Sequence, residues 1–129
     1  MQEGTTMTDT GSSEWPYLAE LDAMVAAPDY HDLLFEDDRV RVLDAHVAPG
    51  DTVPVHTHQW GGVLYILSDS DFVRRDPDGT VLADTRLSAS DLADGSAVWG
   101  DPLTPHSLEN VGSKELRTIT VEMKRAGTG

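Results

Sequence analysis

His56 and His58 stand two residues apart in TVPVHTH, a segment rich in β-branched residues that reads as a short strand. Residues i and i+2 of a strand leave the same face, so both imidazoles point one way. Two ring nitrogens so placed can meet one metal ion at about 2.0–2.2 Å. His106, in PLTPHSLEN, opens another short strand. A third imidazole brought alongside by strand pairing would complete a facial set of three nitrogens with open coordination positions. An isolated H-x-H pair, or a lone histidine after proline, usually has a bland structural explanation. The order in which these residues occur carries the reading: Gly50, five residues, His56-Thr57-His58, an apolar strand, a hairpin, Gly95, then Pro105-His106, three residues, Asn110 and Gly112.

Composition narrows the chemistry further. The chain has 129 residues and no cysteine, which excludes a disulfide framework, a thiol nucleophile and thiolate-bound zinc or iron–sulfur clusters. Sixteen Asp and seven Glu face two Lys and seven Arg, giving a net charge of −14. A field of that sign repels phosphate backbones, so nucleic acid is not an expected partner. No apolar run approaches the ~18 residues of a membrane span, and no basic and apolar leader opens the chain. The expectation is a cytoplasmic protein without membrane association. The acidity itself fits a solvated surface, a host with high internal salt, or a coding bias.

The elements that must position the histidines are mostly strands. Residues 1–14 are rich in Thr, Ser and Gly and read as a disordered tail. In residues 16–27 apolar side chains recur at helical spacing (Leu18, Leu21, Met24, Val25), with Pro16 at the start and Pro28 at the stop, which predicts a short helix. After Pro28 come eight or nine short β-rich segments with regular turn signals, including the D-P-D-G turn at 76–79. This pattern predicts an all-β barrel or sandwich as one domain over 15–125, with 126–129 frayed. Val63, Leu64, Tyr65, Ile66 and Leu67 are apolar on both faces of one strand. A half-buried strand would alternate, so something must cover the second face; a homodimer is the favoured cover.

The ordered histidine pattern resembles the two motifs of the cupin superfamily. G-x5-H-x-H is matched by Gly50, His56 and His58, and the closing His-x3-Asn by His106 and Asn110 preceded by Gly95. The resemblance spans residues 48–112. LLFEDDRVRVL and HTHQWGGVLYILSDSDFVRRDPDG look like the subgroup of small single-domain cupins that includes proteins named for β-alanine degradation. The resemblance implies a cupin-type double-stranded β-helix, a jelly-roll barrel, here with a short N-terminal helix. It also implies one divalent transition metal per chain at His56, His58 and His106. Iron(II) is favoured, while zinc, manganese, nickel or copper would also accept imidazole.

One residue departs from the pattern. The family's glutamate ligand sits three residues before the strand tyrosine, and counting back from Tyr65 gives Gly62. Gln59 would point the wrong way along the strand, and Glu109 is out of phase with His106. Three neutral imidazoles leave a divalent ion with its full charge, a stronger Lewis acid that prefers an anionic ligand. Cupin dioxygenases acting on thiols and on β-diketones resemble such a three-His arrangement. The resemblance thus implies dioxygen-dependent oxidation or C–C cleavage of a small anionic organic substrate. The alternatives are a metal-assisted isomerase, lyase or hydrolase, or a non-catalytic binding protein. No catalytic acid or base is evident.

Strand phase carried over from the family turns Gly62, Leu64 and Ile66 into the cavity, which makes it largely apolar. Trp60 after the histidine pair and Trp99 before the second motif are candidate lining residues, and His46 on an earlier strand is a candidate auxiliary group. Arg74 and Arg75 alternate faces, so at most one points inward. The commoner outcome is an exposed Arg paired with Asp71, Asp76 or Asp78; an inward Arg would clamp a carboxylate.

Overall fold

The computed structural model describes residues 15–88 and 92–124. The expectations for the tails at 1–14 and 126–129 lie outside the described residues. Nine strands occur among the described residues: β1 (His31–Glu36), β2 (Val40–Val47), β3 (Thr52–His58), β4 (Gly62–Ser68), β5 (Phe72–Arg75), β6 (Val81–Asp84), β7 (Ala97–Gly100), β8 (Leu103–Asn110) and β9 (Leu116–Met123). They form a five-stranded sheet, β1-β2-β9-β4-β7, and a four-stranded sheet, β3-β8-β5-β6, with antiparallel pairing within each. No described helix is long and apolar enough to cross a membrane.

The turns that set this register are read easily from the sequence. Between β5 and β6 the Gly79 amide donates to the Asp76 carbonyl, and Gly79 holds φ +89°. Only glycine adopts that angle without steric cost. Asp76 Oδ1 accepts from the amides of Asp78 and Thr80 and closes the loop. Asn110 plays a similar part at the end of β8. It is buried, accepts from Ser70 and the Gly112 amide, and donates to the carbonyls of Val47 and Lys114.

The N-terminal helix is shorter than its apolar spacing suggests. A 3-10 turn at Ala19–Leu21 precedes α1 (Ala23–Ala26), and a second 3-10 turn at Pro28–Tyr30 leads into β1. The expected apolar face is not the buried one: Leu18 is 68% exposed and Val25 61% exposed. Ala23 and Ala27, one helical turn apart, are buried instead. Small side chains let the turn lie close against β3, where Asp22 makes a bridge to Thr57. Asp22 also caps α1 by accepting from the Met24 amide at 3.0 Å.

Ala27, Val47 and Val53, with Tyr30, Leu108 and Leu116 packed on them, form a small apolar core cluster. These residues, Ala27 aside, also belong to the wall of a cavity of about 450 Å³ that runs between the two sheets. Most of the wall is apolar, as Leu64, Ile66, Phe72, Val98 and Leu103 show.

Candidate metal centre

β3 places His56 and His58 as strand geometry requires, both in the cavity wall. Their ring centroids are 5.0 Å apart. β8 pairs with β3 so that His106 lies directly across from His56, and the two rings approach to 4.4 Å between centroids. The His58 and His106 rings are 6.0 Å apart. The three histidines singled out from the sequence are therefore gathered at one place.

A fourth imidazole joins them. His31 is the first residue of β1 and the one buried residue of that strand. Its ring lies 5.2 Å from His56 and 5.4 Å from His58. Among the described residues, His31, His56 and His58 are the three whose candidate ligand nitrogens all lie within 4.8 Å of one another. His31 thus joins the expected set of His56, His58 and His106 as a fourth candidate ligand, with His106 standing against His56. Nothing in the HDLLF segment marks His31, because it becomes a neighbour of β3 only through folding.

Each ring is fixed through Nδ1. That nitrogen donates to the Pro54 carbonyl in His56 (2.7 Å), to the Thr104 carbonyl in His106 (2.7 Å) and to the Ala27 carbonyl in His31 (2.9 Å). In His58 it donates to Glu122 Oε2 at 2.9 Å. In a neutral ring, an acceptor-only partner at Nδ1 selects the tautomer with the proton there, which leaves Nε2 as a bare lone pair. Burial lowers the pKa of His31 to about 4, despite the Ala27 carbonyl. Burial likewise lowers that of His106 to about 4. It drives that of His56 to about 2, helped by the charges His106 and His58 would carry. These three rings are neutral at pH 7, the state that binds a metal.

Glu122 was not foreseen. It is buried on β9, directly across from Gly62 on β4. Gly62 itself can carry no side chain, because a Cβ there would collide with the Val121 carbonyl oxygen. The carboxylate in this wall thus comes from the neighbouring strand. Glu122 Oε1 accepts from Arg41 Nε at 2.7 Å while Oε2 holds His58. Arg41 is buried and makes a second, bidentate pair with Asp22, at 2.9 Å from each terminal nitrogen. Burial acts to raise the pKa of Glu122, but His58 and then Arg41 outweigh it and hold the carboxyl below its usual value. Asp22 follows the same balance: burial raises, and the Arg41 bond and charge lower it further. The chain Asp22–Arg41–Glu122–His58 therefore joins the cap of α1 to a ring of the cluster.

Trp60 lines the cavity with its ring 5.0 Å from the Arg41 guanidinium and 5.4 Å from Lys124 Nζ, so it packs against this network. Gly62, Leu64, Ile66 and Arg74 also line the cavity; Trp99 touches only its exposed rim, from the outward phase of β7. His46 does not. Its neighbours Ala45 and Val47 take the inward phase of β2, so His46 faces out and its Nε2 meets Asp32 Oδ2 at 3.1 Å. The expectation of an auxiliary group at His46 is withdrawn on that geometry. Arg75 faces away from the cavity and pairs with Glu109 at 3.0 Å, which leaves Arg74 as the inward arginine.

No family model matches the chain, and no curated protein matches it. Solved structures do. A cupin domain from Bordetella pertussis Tohama I superposes with a TM-score of 0.58 at 19% identity, over 74% of this chain and 92% of that one. A RmlC-like cupin family protein with a double-stranded β-helix fold, from Methanocaldococcus jannaschii, gives 0.51 at 15% identity, over 73% and 78%. A conserved protein with a double-stranded β-helix domain from Klebsiella pneumoniae gives 0.50 at 18% identity, over 76% and 78%. Likeness at these identities speaks for the fold. The chain is a small cupin in fold, a double-stranded β-helix with an imidazole cluster in its cavity.

Proposed function

We propose that the protein is a metal-dependent enzyme with a mononuclear centre held by imidazole, acting on a small anionic organic molecule. The observation that carries this reading is the shared state of His31, His56, His58 and His106. All four have Nδ1 committed and Nε2 free, within one mostly apolar cavity. The donor set fits a divalent transition ion, iron(II) first among them. Such an ion supplies Lewis acidity and, as iron, reactivity towards dioxygen. Oxidation or C–C cleavage with dioxygen is the reaction we favour.

The chain's own residues contribute orientation and exclusion of water. The carbonyls of Pro54, Thr104 and Ala27 aim three rings; Glu122 aims the fourth and raises its basicity as a ligand. With both its oxygens engaged by Arg41 and His58, Glu122 is a positioning residue rather than a free base. Leu64, Ile66 and Val98 keep the cavity apolar, which strengthens every charge interaction inside it. The test is oxygen uptake by iron-loaded protein with a panel of small oxo acids and β-diketones. Uptake that His56→Ala abolishes supports the reading. Turnover without oxygen consumption would reassign the site to Lewis-acid chemistry.

A homodimer belongs to the same proposal. The outward phase of the five-stranded sheet carries an apolar row. Phe35, Val42, Val121, Val63 and Trp99 form a row across all five strands, with Ile119 and Tyr65 beside it. The inward phase of β9, by contrast, is Thr118, Thr120 and Glu122. A second copy of the sheet laid on this face would bury Phe35, Val63, Tyr65 and Trp99, which are 38–57% exposed in the single chain. Sedimentation should give a dimer, and Tyr65→Asp a monomer that keeps its metal.

A further inference from the structure

Arg74 is a cation in the cavity wall that has no partner among the described residues. The other described arginines are all paired: Arg39 with Asp37, Arg41 with Asp22 and Glu122, Arg75 with Glu109, Arg86 with Asp84, and Arg117 with Asp44. Arg74 has no ion pair and no hydrogen bond among the described residues, and its Nε is buried and unsatisfied. A chain with 23 acidic residues against 9 basic ones does not lack carboxylates to pair it. Leaving a guanidinium half out of water without a counter-ion costs stability. Burial accordingly lowers the affinity of Arg74 for its proton.

Strand geometry says where this cation points. Arg74 pairs across β5–β8 with Leu108, whose neighbour two residues back on the same face is His106. It therefore stands one diagonal step from the imidazole cluster, about 7–8 Å by strand geometry. Phe72, also inward on β5, carries its ring 5.6 Å from the guanidinium and limits its swing. Three acidic residues line the cavity with it. Glu122 is engaged by Arg41 and His58, Asp101 accepts from Trp99 Nε1, and Asp69 makes no ion pair with Arg74. The planar fork of a guanidinium matches the two oxygens of a carboxylate.

We infer that Arg74 is the anchor for the carboxylate of the ligand. The ligand is a small organic acid that reaches from Arg74 to the imidazole cluster with a second oxygen function. This deepens the proposed function and rests on the cavity being the substrate site. The volume of about 450 Å³ lies within the ordinary range for small-molecule sites.

Calorimetric titration of the full chain with malonate, malonamide and sulfate tests it, each with metal-loaded and with metal-free protein. Malonate should bind, and its uncharged isostere malonamide should bind far more weakly. Arg74→Gln should weaken malonate by about tenfold or more, with Arg74→Lys in between. Metal content should be unchanged in both variants. Arg74→Gln should also melt no lower than the parent, since it removes an uncompensated charge, and should lose the rise in melting temperature that malonate gives the parent. Malonate binding that survives metal removal and still needs Arg74 supports the anchor even where the metal reading fails. Equal malonate affinity in parent and Arg74→Gln overturns the anchor and leaves the metal reading standing. So does a large drop in melting temperature with no change in affinity, which would mark Arg74 as structural. Sulfate preferred over malonate would contradict the carboxylate assignment.

Discussion

The four imidazoles divide into two pairs by what holds them. His56 and His106 are each fixed by a carbonyl two residues back on the same strand, Pro54 and Thr104. Their orientation follows from β3 and β8 alone. His31 and His58 depend on the packing of distant parts. His31 hangs from Ala27, the C-cap of α1, and His58 from Glu122 on β9. Arg41 links the two anchoring elements, gripped by Asp22 at the N-cap of α1 and by Glu122 on β9. The first pair is a property of local backbone, the second a property of tertiary structure. Mutation can therefore release His58 without touching a ring, by removing Glu122, whereas the first pair is held by backbone carbonyls and offers no side chain to remove except its own.

The strongest way to break the second pair is Glu122→Ala. It leaves Arg41 buried with half its charge compensation and frees His58. Chemical denaturation should show a loss of about 3–5 kcal/mol; an unchanged midpoint would show that the network is incidental. Glu122→Gln keeps the shape and should lower metal affinity by about 10–100-fold. His31→Ala should cost at least as much metal affinity, since it removes a donor rather than its support. Metal titration of both variants compares the two effects directly.

Acid should act on the three rings that burial holds neutral. The pKa values of His31 and His106 fall from 6.5 to about 4, and that of His56 to about 2, all through burial first. The unfolded chain therefore takes up protons before the folded one, so stability rises with pH in this range. Metal-free protein should be indifferent to pH above about 6.5 and lose stability as pH falls from there towards 4. Glu122 and Asp22, whose pKa values are lowered below 4.5 and 3.8, add their loss only below those values. Melting curves of the parent and His56→Ala check this: the variant should show a shallower decline between pH 6.5 and 4.

Asp22→Asn is milder. Asparagine still caps α1, but the charge facing Arg41 is gone, so the loss should be about 1 kcal/mol. It should weaken metal binding only through His31 and His58. His46→Ala sets the floor of the series. His46 faces away from the cavity beside Asp32, and its loss should change stability by less than about 0.5 kcal/mol and metal content not at all.

The same division explains what was legible in the sequence. His56, His58 and His106 could be read because strand period and motif order are local properties. The inward phase of Gly62, Leu64 and Ile66 came with the family resemblance, and the strand pattern, read as eight or nine segments, was legible in the β-rich runs and their turns. His31 and Glu122 could not, since a single histidine after a helix stop and a glutamate in TITVEM acquire meaning only through pairing across sheets. Hydrophobic phase misleads in β9. Ile119, Val121 and Met123 look like the core side, yet Thr118, Thr120 and Glu122 line the cavity. Polar groups face inward there because the interior is a site, and the apolar residues face out along a sheet that a second copy would cover. The N-terminal helix was overdrawn for a related reason: Ala23 and Ala27 make the contact, not the larger Leu18 and Val25.

The most direct test of the central claim is the metal itself, measured in protein purified without chelator or affinity tag. Elemental analysis combined with X-ray absorption should find one transition metal ion per chain in a nitrogen-dominated shell. Imidazole scattering should diminish in His31→Ala, and the ion should be lost in His56→Ala. Metal at trace level, unaffected by His56→Ala, would contradict the account.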